Sequence, residues 1–558
     1  MAMMKGSQIL ANCLIRMGCQ RIYGIIGTSV IAFVDALYDY KDKIRYISCR
    51  HEQVAASMAD TEGRLTGRPG VILAHSGPGA LNTLISLANA YKDCSPVLAI
   101  VGAVKRRLRG KDGMLEVDHL KVFSPICKGV YRVEETASIP ALFSQAYSRA
   151  MSGAKGPVLI EVPEDVWKDR AEVDLEKFSL EIESLPEAQE EDIKELIAMI
   201  SSSSRPLILA GGGVAYSGAS EDLVRFAETL NLPVITTGNG RGTIPEDHPL
   251  CLGRVGFGGG RTVADTAYEK ADLILGMGCE LSDLTTYEFS LSTSADVVLV
   301  NLDPDVEKKK LYVKKQIYAD VSSFLKKILK MLSPADKVER KDWLDSFQVV
   351  KKSWQELLEV AKNSSKSPLS PGRFCYQLGK MLPKEAIITV GAGMHLLYPM
   401  AFIPCRKPLT FLSAVNFGAM GFGFPSGLAA KLIYKERMVV SILGDGDFLM
   451  TLQDLETAKR EGLAPKIFIL NDNSYRVLAY RQKLQFQGRV YGSEHKNPDF
   501  VKLAEAFGVR GIRIERPEEI EPKLKEVFKE DDLVLTEVVC DPNDLPPMNI
   551  NATLKMGQ

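Results

Sequence analysis

Apolar residues along this chain come in short β-branched runs, separated by stretches in which they recur every three or four positions. That is the pattern of parallel strands alternating with covering helices. In the first third, "GVILAH" (Gly70 to His75), "SPVLAIVGA" (Ser95 to Ala103) and "GPVLIEVP" (Gly156 to Pro163) read as buried strands. Between the first two, "GALNTLISLANAYKD" reads as a helix opened by the turn "SGPG". The acidic stretch "EIESLPEAQEEDIKE" interrupts the pattern as a linker. "RPLILAGGG", "LPVITT", "ADLILGMG" and "DVVLVNLD" supply strands for a second unit. After a charged helical segment, "EAIITVGAG", "RMVVSILGDG", "PKIFILNDN" and "DLVLTEVVCD" supply those of a third. The expected fold class is α/β, with three doubly wound parallel-sheet domains over residues 1–170, 190–335 and 368–558.

Composition narrows the partners. The chain has 558 residues, 46% hydrophobic and 25% charged, with a formal net charge of -1. Such a balance gives no reason to expect nucleic acid or an anionic membrane surface. No apolar run approaches a membrane span, and "MAMMKGSQILANCLIRMG" spaces its apolar residues helically instead of forming a signal peptide's continuous centre. Ten cysteines without a C-x-x-C pair indicate neither a zinc site nor a disulfide framework. A cytoplasmic protein with reduced thiols is expected.

Ligands of open α/β sheets gather where strands end, so the loops after the strands carry the chemistry. Gly444-Asp445-Gly446-Asp447 follows one apolar strand and precedes a helical stretch. Glycines let backbone approach a phosphate, and Asp445 suits a magnesium ion bridging phosphates. A calcium loop would need acidic or amide residues where Phe448, Met450 and Leu452 stand, and a Walker loop needs a following Gly-Lys-Ser/Thr. A plain structural turn is the remaining alternative. A second oxygen-rich loop, Asn471-Asp472-Asn473-Ser474, follows the next strand, with Asp472 27 positions past Asp445. Asp472 and the Ser474 carbonyl are placed to complete the shell of one cation. In "RHEQVAASMADTEGRLTG", Glu52 precedes a helix rich in small residues. On its own it reads either as an exposed helix-start charge or as a buried acid whose proton affinity is raised.

With both loops in view the chain resembles the thiamine diphosphate (ThDP) enzymes of the acetolactate synthase and 2-oxo acid decarboxylase family. G-D-G, some two dozen residues, then N-N is that family's cofactor signature, with Asp472 standing here at the second asparagine. The resemblance implies Mg²⁺ held by Asp445, Asp472 and Ser474 and anchoring the diphosphate. It assigns Gly391, Ala392, Gly444, Gly446, Asp447 and Tyr475 to the same end of the cofactor. Gly27 and Thr28 in "YGIIGTS", and Ser76, Gly77, Pro78 and Asn82 in "SGPGALN", would line the other end. Gly418 and Met420 in "NFGAMGFGFP" would hold the cofactor bent, with Met420 as the wedge between its rings. Glu52 becomes the catalytic acid that activates the pyrimidine ring. The family also implies a homodimer or homotetramer with active sites at the subunit interface. The extra charge of Asp472 predicts tighter Mg²⁺ binding that weakens sooner on acidification.

Three marks of acetolactate synthases are missing. Their Phe-Gln pair appears as Met114-Leu115, and their acceptor-site tryptophan as Arg481, either a carboxylate or phosphate clamp or an exposed arginine. Leu115 and Arg481 are therefore the candidate substrate residues. Ala154-Lys155, Glu280 and Leu284 stand where those enzymes carry FAD-binding residues, which argues against FAD. Gly211, Gly212, Gly213 and Asp303 leave room for another nucleotide in the central domain. The expected activity is carbon–carbon bond chemistry on a small 2-oxo acid, decarboxylation with or without carboligation. The alternative is a 2-hydroxyacyl-CoA lyase or oxalyl-CoA decarboxylase, with Lys105, Arg106, Arg107 and Arg109 meeting CoA phosphates. A non-catalytic regulatory homologue is the third reading.

Overall fold

The computed structural model describes residues 2–256, 261–304, 306 and 313–547. Its main sheets are three, each of six strands and parallel throughout. The first runs, in spatial order, Arg45–Ser48, Arg21–Gly24, Gly70–Ala74, Val97–Ala103, Pro157–Pro163 and Gly129–Arg132. The last runs Phe411–Ser413, Ile387–Val390, Val439–Gly444, Lys466–Asn471, Val534–Val539 and Arg510–Ile514. Numbered along the chain, both follow the order 2-1-3-4-6-5. The middle sheet, Cys251–Arg254, Val234–Thr236, Pro206–Ala210, Leu273–Met277, Asp296–Asn301 and Lys315–Tyr318, follows 3-2-1-4-5-6. A short antiparallel pair, Ala2–Lys5 with Arg170–Val173, stands apart from all three.

Every strand read from an apolar run forms, and those runs are buried because helices cover both faces of a parallel sheet. Gly70–Ala74 stops one residue short of the expected "GVILAH", which leaves His75 in the loop. In the first sheet the order reverses between Arg21–Gly24 and Gly70–Ala74. In the last it reverses between Ile387–Val390 and Val439–Gly444. A crevice opens beyond the carboxyl ends at such a switch point, and this is where open α/β sheets take ligands. Residues 25–30 and 75–79 meet at the first crevice, residues 391–395 and 445–447 at the second.

The chain forms two compact units. In one, residues up to 184 join 416–436 and 449–464; the other gathers 185–415, 437–448 and the chain from 465 onward. Within the first unit, helix Gly423–Ile433 packs along helix Glu52–Thr66. Each carries five glycine, alanine or serine residues, which lets their axes approach closely. The lower end of helix Glu52–Thr66 is fixed by a buried ion network, with Arg64 donating to Asp60 at 2.7 and 2.8 Å and to Asp93 at 2.7 Å. Among the described residues no helix is long and apolar enough to cross a membrane. All ten cysteines are free thiols.

Candidate functional site

At the first switch point Glu52 begins its helix with only 7% of its surface exposed. The exposed-charge alternative therefore fails. Asn82 Nδ2 donates to Glu52 Oε2 at 2.9 Å, which pairs two residues assigned to the cofactor. A Cβ on Gly79 would stand 3.2 Å from Glu52 Oε1 and 3.0 Å from His75 Cβ, so the turn needs a glycine to admit both side chains. Gly77 holds a φ of +66° and donates its N–H to His119 Nε2 at 3.3 Å. His119 Nδ1 in turn donates to Glu161 at 2.9 Å, and Glu161 is also gripped by Arg132. That buried relay braces Ser76-Gly77-Pro78 from below. Ser76 Oγ donates to the Leu115 carbonyl at 3.0 Å, and Leu115 itself sits at φ +71°, a conformation costly for a branched side chain. Gly27 lies against the His75 ring, where its Cβ would come within 2.4 Å of Cγ; Thr28 is exposed beside it.

Met420, half-buried, belongs to the same unit. It stands between Gly418 and Gly421, both at left-handed φ, and its carbonyl accepts from Gln53 Nε2 at 2.9 Å. The residue next to Glu52 thus fixes the turn that presents Met420. A Cβ at Gly418 would meet nothing within 4 Å, which leaves that face open.

At the second switch point Asp445 and Asp447 are buried, at 3% and 2% exposure. Asp445 Oδ1 accepts from the Gly446 N–H at 2.7 Å, Asn497 Nδ2 donates to Oδ2 at 2.7 Å, and His495 Nε2 lies 3.5 Å from Oδ2. A Cβ at Gly391 would stand 2.0 Å from the Asp447 carboxylate, and one at Gly446 would stand 2.6 Å from the Tyr475 ring. Those glycines exist to let acid and ring close in; Ala392 beside them is half-buried. Asp472 Oδ1 accepts from Ser474 Oγ at 2.7 Å, and its Oδ2 lies 3.3 Å from Arg476 Nη1. Burial first, then the charge of Asp445, pushes the Asp472 carboxyl up to about 6. Burial also lowers His395 to about 3. Its Nε2 is buried 3.8 Å from Asp447 Oδ2 and has no hydrogen-bond partner.

These groups fit the implied cofactor. Two carboxylates crowd one buried loop pair at a cost that a divalent cation would relieve. Among the described residues no cluster of three or more His, Cys, Asp and Glu side chains has metal-holding geometry. Two acids with neutral oxygens and phosphate completing the shell is a magnesium donor set. The unsatisfied nitrogen of His395 suits an anionic oxygen entering the same crevice.

Sequence reading missed His75, Gln53, His119, His395, Asn497, His495 and Arg476. Of these only His75, Gln53 and Arg476 had a local signal, since they adjoin residues already singled out. Three cations of the basic run after Val104 are engaged within their own unit, while Arg107 is exposed. Lys105 pairs with Glu164, Arg106 with Asp165 and Asp169, and Arg109 with Glu134. Arg481 is exposed on helix Arg476–Gln485. In the middle sheet, Cβ atoms at Gly211 and Gly213 would strike Gly278 at 2.2 and 2.7 Å, so these glycines serve backbone packing.

Comparisons with known proteins place the three sheets in one family. Residues 4–122 match the family described as thiamine pyrophosphate enzyme, N-terminal TPP binding domain. Residues 193–328 match the central domain, and 391–538 the C-terminal TPP binding domain. The chain is 36% identical to the probable acetolactate synthase large subunit of Methanocaldococcus jannaschii, over 98% of this chain and 93% of that protein. It is 30% identical to the acetolactate synthase isozyme 3 large subunit of Escherichia coli, over 99% and 97%. To the acetolactate synthase large subunit of Lactococcus lactis it is 31% identical, over 97% and 93%.

Proposed function

This chain belongs to the thiamine pyrophosphate enzyme family, and from that premise we propose that it decarboxylates a small 2-oxo acid and passes the remaining fragment to a carbonyl acceptor or a proton. Bound ThDP would supply the electron sink that lets CO₂ leave. Asp445, Asp472 and Ser474 would hold Mg²⁺ at the diphosphate, and His395 and Tyr475 would flank it. Glu52 would hold a proton at the pyrimidine end, while Gln53 fixes Met420 as the wedge. The observation that carries this reading is Glu52, an acid buried at a helix start and held by the neutral amide of Asn82. A cytoplasmic homodimer or homotetramer, with sites at the subunit interface, is part of the proposal. The words "large subunit" in the relatives' names add a smaller companion chain to the partners worth testing.

Ion pairs hold Lys105, Arg106 and Arg109 to acids of the same unit, which favours a small 2-oxo acid over an acyl-CoA substrate, and FAD is not included. Incubation with pyruvate and other 2-oxo acids, ThDP and Mg²⁺ should release CO₂ and yield acetolactate or acetoin-type products. Turnover of acyl-CoA substrates alone would overturn the choice of substrate. Inertness toward both would favour the regulatory reading.

Asp472 brings its own test. Because its carboxyl sits near 6, it must shed a proton to serve Mg²⁺ below that pH. Mg²⁺ affinity should therefore fall as pH drops from 7 to 5. Arg476 offsets part of the added charge, so Asp472→Asn should weaken binding by about tenfold at pH 8, on the scale of altering one ligand contact. The acid limb should be flattened. An unchanged pH profile in calorimetric Mg²⁺ titrations would remove Asp472 from the shell.

A further inference from the structure

We infer that His75 is a catalytic residue: its Nε2–H donates a hydrogen bond to the carbonyl oxygen of the 2-oxo acid and stabilises the negative charge that develops there. The inference rests on the proposed function and adds a group which nothing in the sequence patterns or the relatives' names assigns.

Ser29 Oγ accepts the Ser76 N–H at 3.0 Å and lies 2.7 Å from His75 Nδ1. The Ser29 backbone N–H also points at Nδ1, at 3.3 Å. A backbone N–H can only donate, so Nδ1 is the acceptor, the Ser29 hydroxyl donates to it as well, and the ring proton sits on Nε2. Ser29 cannot readily shift to release that lock. Its carbonyl accepts from Trp167 Nε1 at 2.8 Å, and its Oγ fills the space where a Cβ on Gly102 would stand, 2.2 Å away.

Position comes next. The ring follows the central strand Gly70–Ala74 at the switch point and lies against Gly27. Gly79 brings it beside the Glu52 carboxylate, and its neighbour Ser76 holds the Leu115 carbonyl. His75 therefore stands between the acid proposed to activate the cofactor and the loop proposed to meet substrate. No residue among those described accepts a hydrogen bond from its Nε2, and the ring is only half-buried, so that N–H is available to a ligand. Of the charges facing the ring, Glu52 and Glu164 favour its protonated form, but burial outweighs both and lowers its pKa. A neutral imidazole donates this hydrogen bond without giving up its proton. Electrostatic stabilisation of a nascent oxyanion is its role, with no proton transferred.

The experiment uses the full chain with ThDP and Mg²⁺. His75→Phe should lower kcat for CO₂ release by about 10²–10³, as for loss of one oxyanion donor, with KM changed less than threefold. His75→Gln, which keeps an N–H near the Nε2 position, should recover at least tenfold of that loss. A kcat for His75→Phe within threefold of wild type would overturn the inference, as would a glutamine variant no better than phenylalanine. The independent readout is ¹⁵N NMR of the histidines with methyl acetylphosphonate, a 2-oxo acid mimic that cannot lose CO₂. His75 should show the Nε2–H form, and its resonance should move on addition of the mimic. If wild type releases no CO₂ from any 2-oxo acid, the proposed function falls. A His75 resonance that still moves with the mimic would uphold this donor role, and one that stays fixed would end it.

Discussion

Replacing Glu52 by glutamine should lower the rate of CO₂ release from a 2-oxo acid by about 10²–10⁴, the usual contribution of a positioned acid–base group. Glutamine keeps the shape and its amide oxygen still accepts from Asn82, so the helix start and its 2.9 Å contact should survive. What disappears is the exchangeable proton. Cofactor binding, followed by tryptophan fluorescence or calorimetry, should stay within about tenfold, because the diphosphate end is untouched. This pairing of a large rate loss with a small binding loss separates proton chemistry from mere structural damage. A Glu52→Gln enzyme retaining more than a tenth of wild-type rate would show that the activating acid lies elsewhere.

The parts of the fold that were legible are those whose physics is local. Gly70–Ala74 and Val439–Gly444 are buried at every position because helices cover both faces, and such largely apolar runs announce themselves. Arg45–Ser48, Gly129–Arg132, Lys315–Tyr318 and Arg510–Ile514 went unread because they are sheet edges. Their residues are mostly half-buried or exposed over four or five positions, too few to establish a period. Arg21–Gly24 is an inner strand, but Arg21 breaks its apolar run in order to pair with Glu62 from helix Glu52–Thr66.

The same division holds in the site. Asp445 and Asp472 were visible because acids crowded on turn residues after apolar strands need a reason nearby. Gln53 adjoins Glu52, yet its task is set by Met420, 367 positions away. Asn497 earns its place only through Asp445 and Asn471, 52 and 26 positions back. His75 stood inside a quoted strand, where an aromatic ring at the last position looks like core. Only the early end of that strand, and the Ser29 lock from a different loop, turn it toward the crevice.

Asp445→Asn should separate the metal seat from the rest of the site. Removing a buried charge from an ion-binding cluster costs about 3–5 kcal/mol, which converts to a ThDP–Mg²⁺ complex weaker by roughly a hundredfold to several thousandfold. The loss should appear in affinity, with rate at saturating cofactor restored in part, the reverse of the Glu52 variant. The apo protein should respond in the opposite sense. Asp445 is one cause of the raised Asp472 carboxyl, so in the wild-type apo chain the folded state binds more protons than the unfolded between about pH 4 and 6. That contribution to stability is present at low pH and is lost as pH rises through 6. Asparagine at 445 removes the repulsion, so the apo variant should lose less of its melting temperature over that interval than wild type does. Mg²⁺ with ThDP should stabilise wild type more at pH 8 than at pH 5, and the variant little at either. Equal cofactor affinity in Asp445→Asn and wild type, measured by calorimetry at pH 8, would mean that the cation is seated on other oxygens and that the two crowded aspartates serve only the fold.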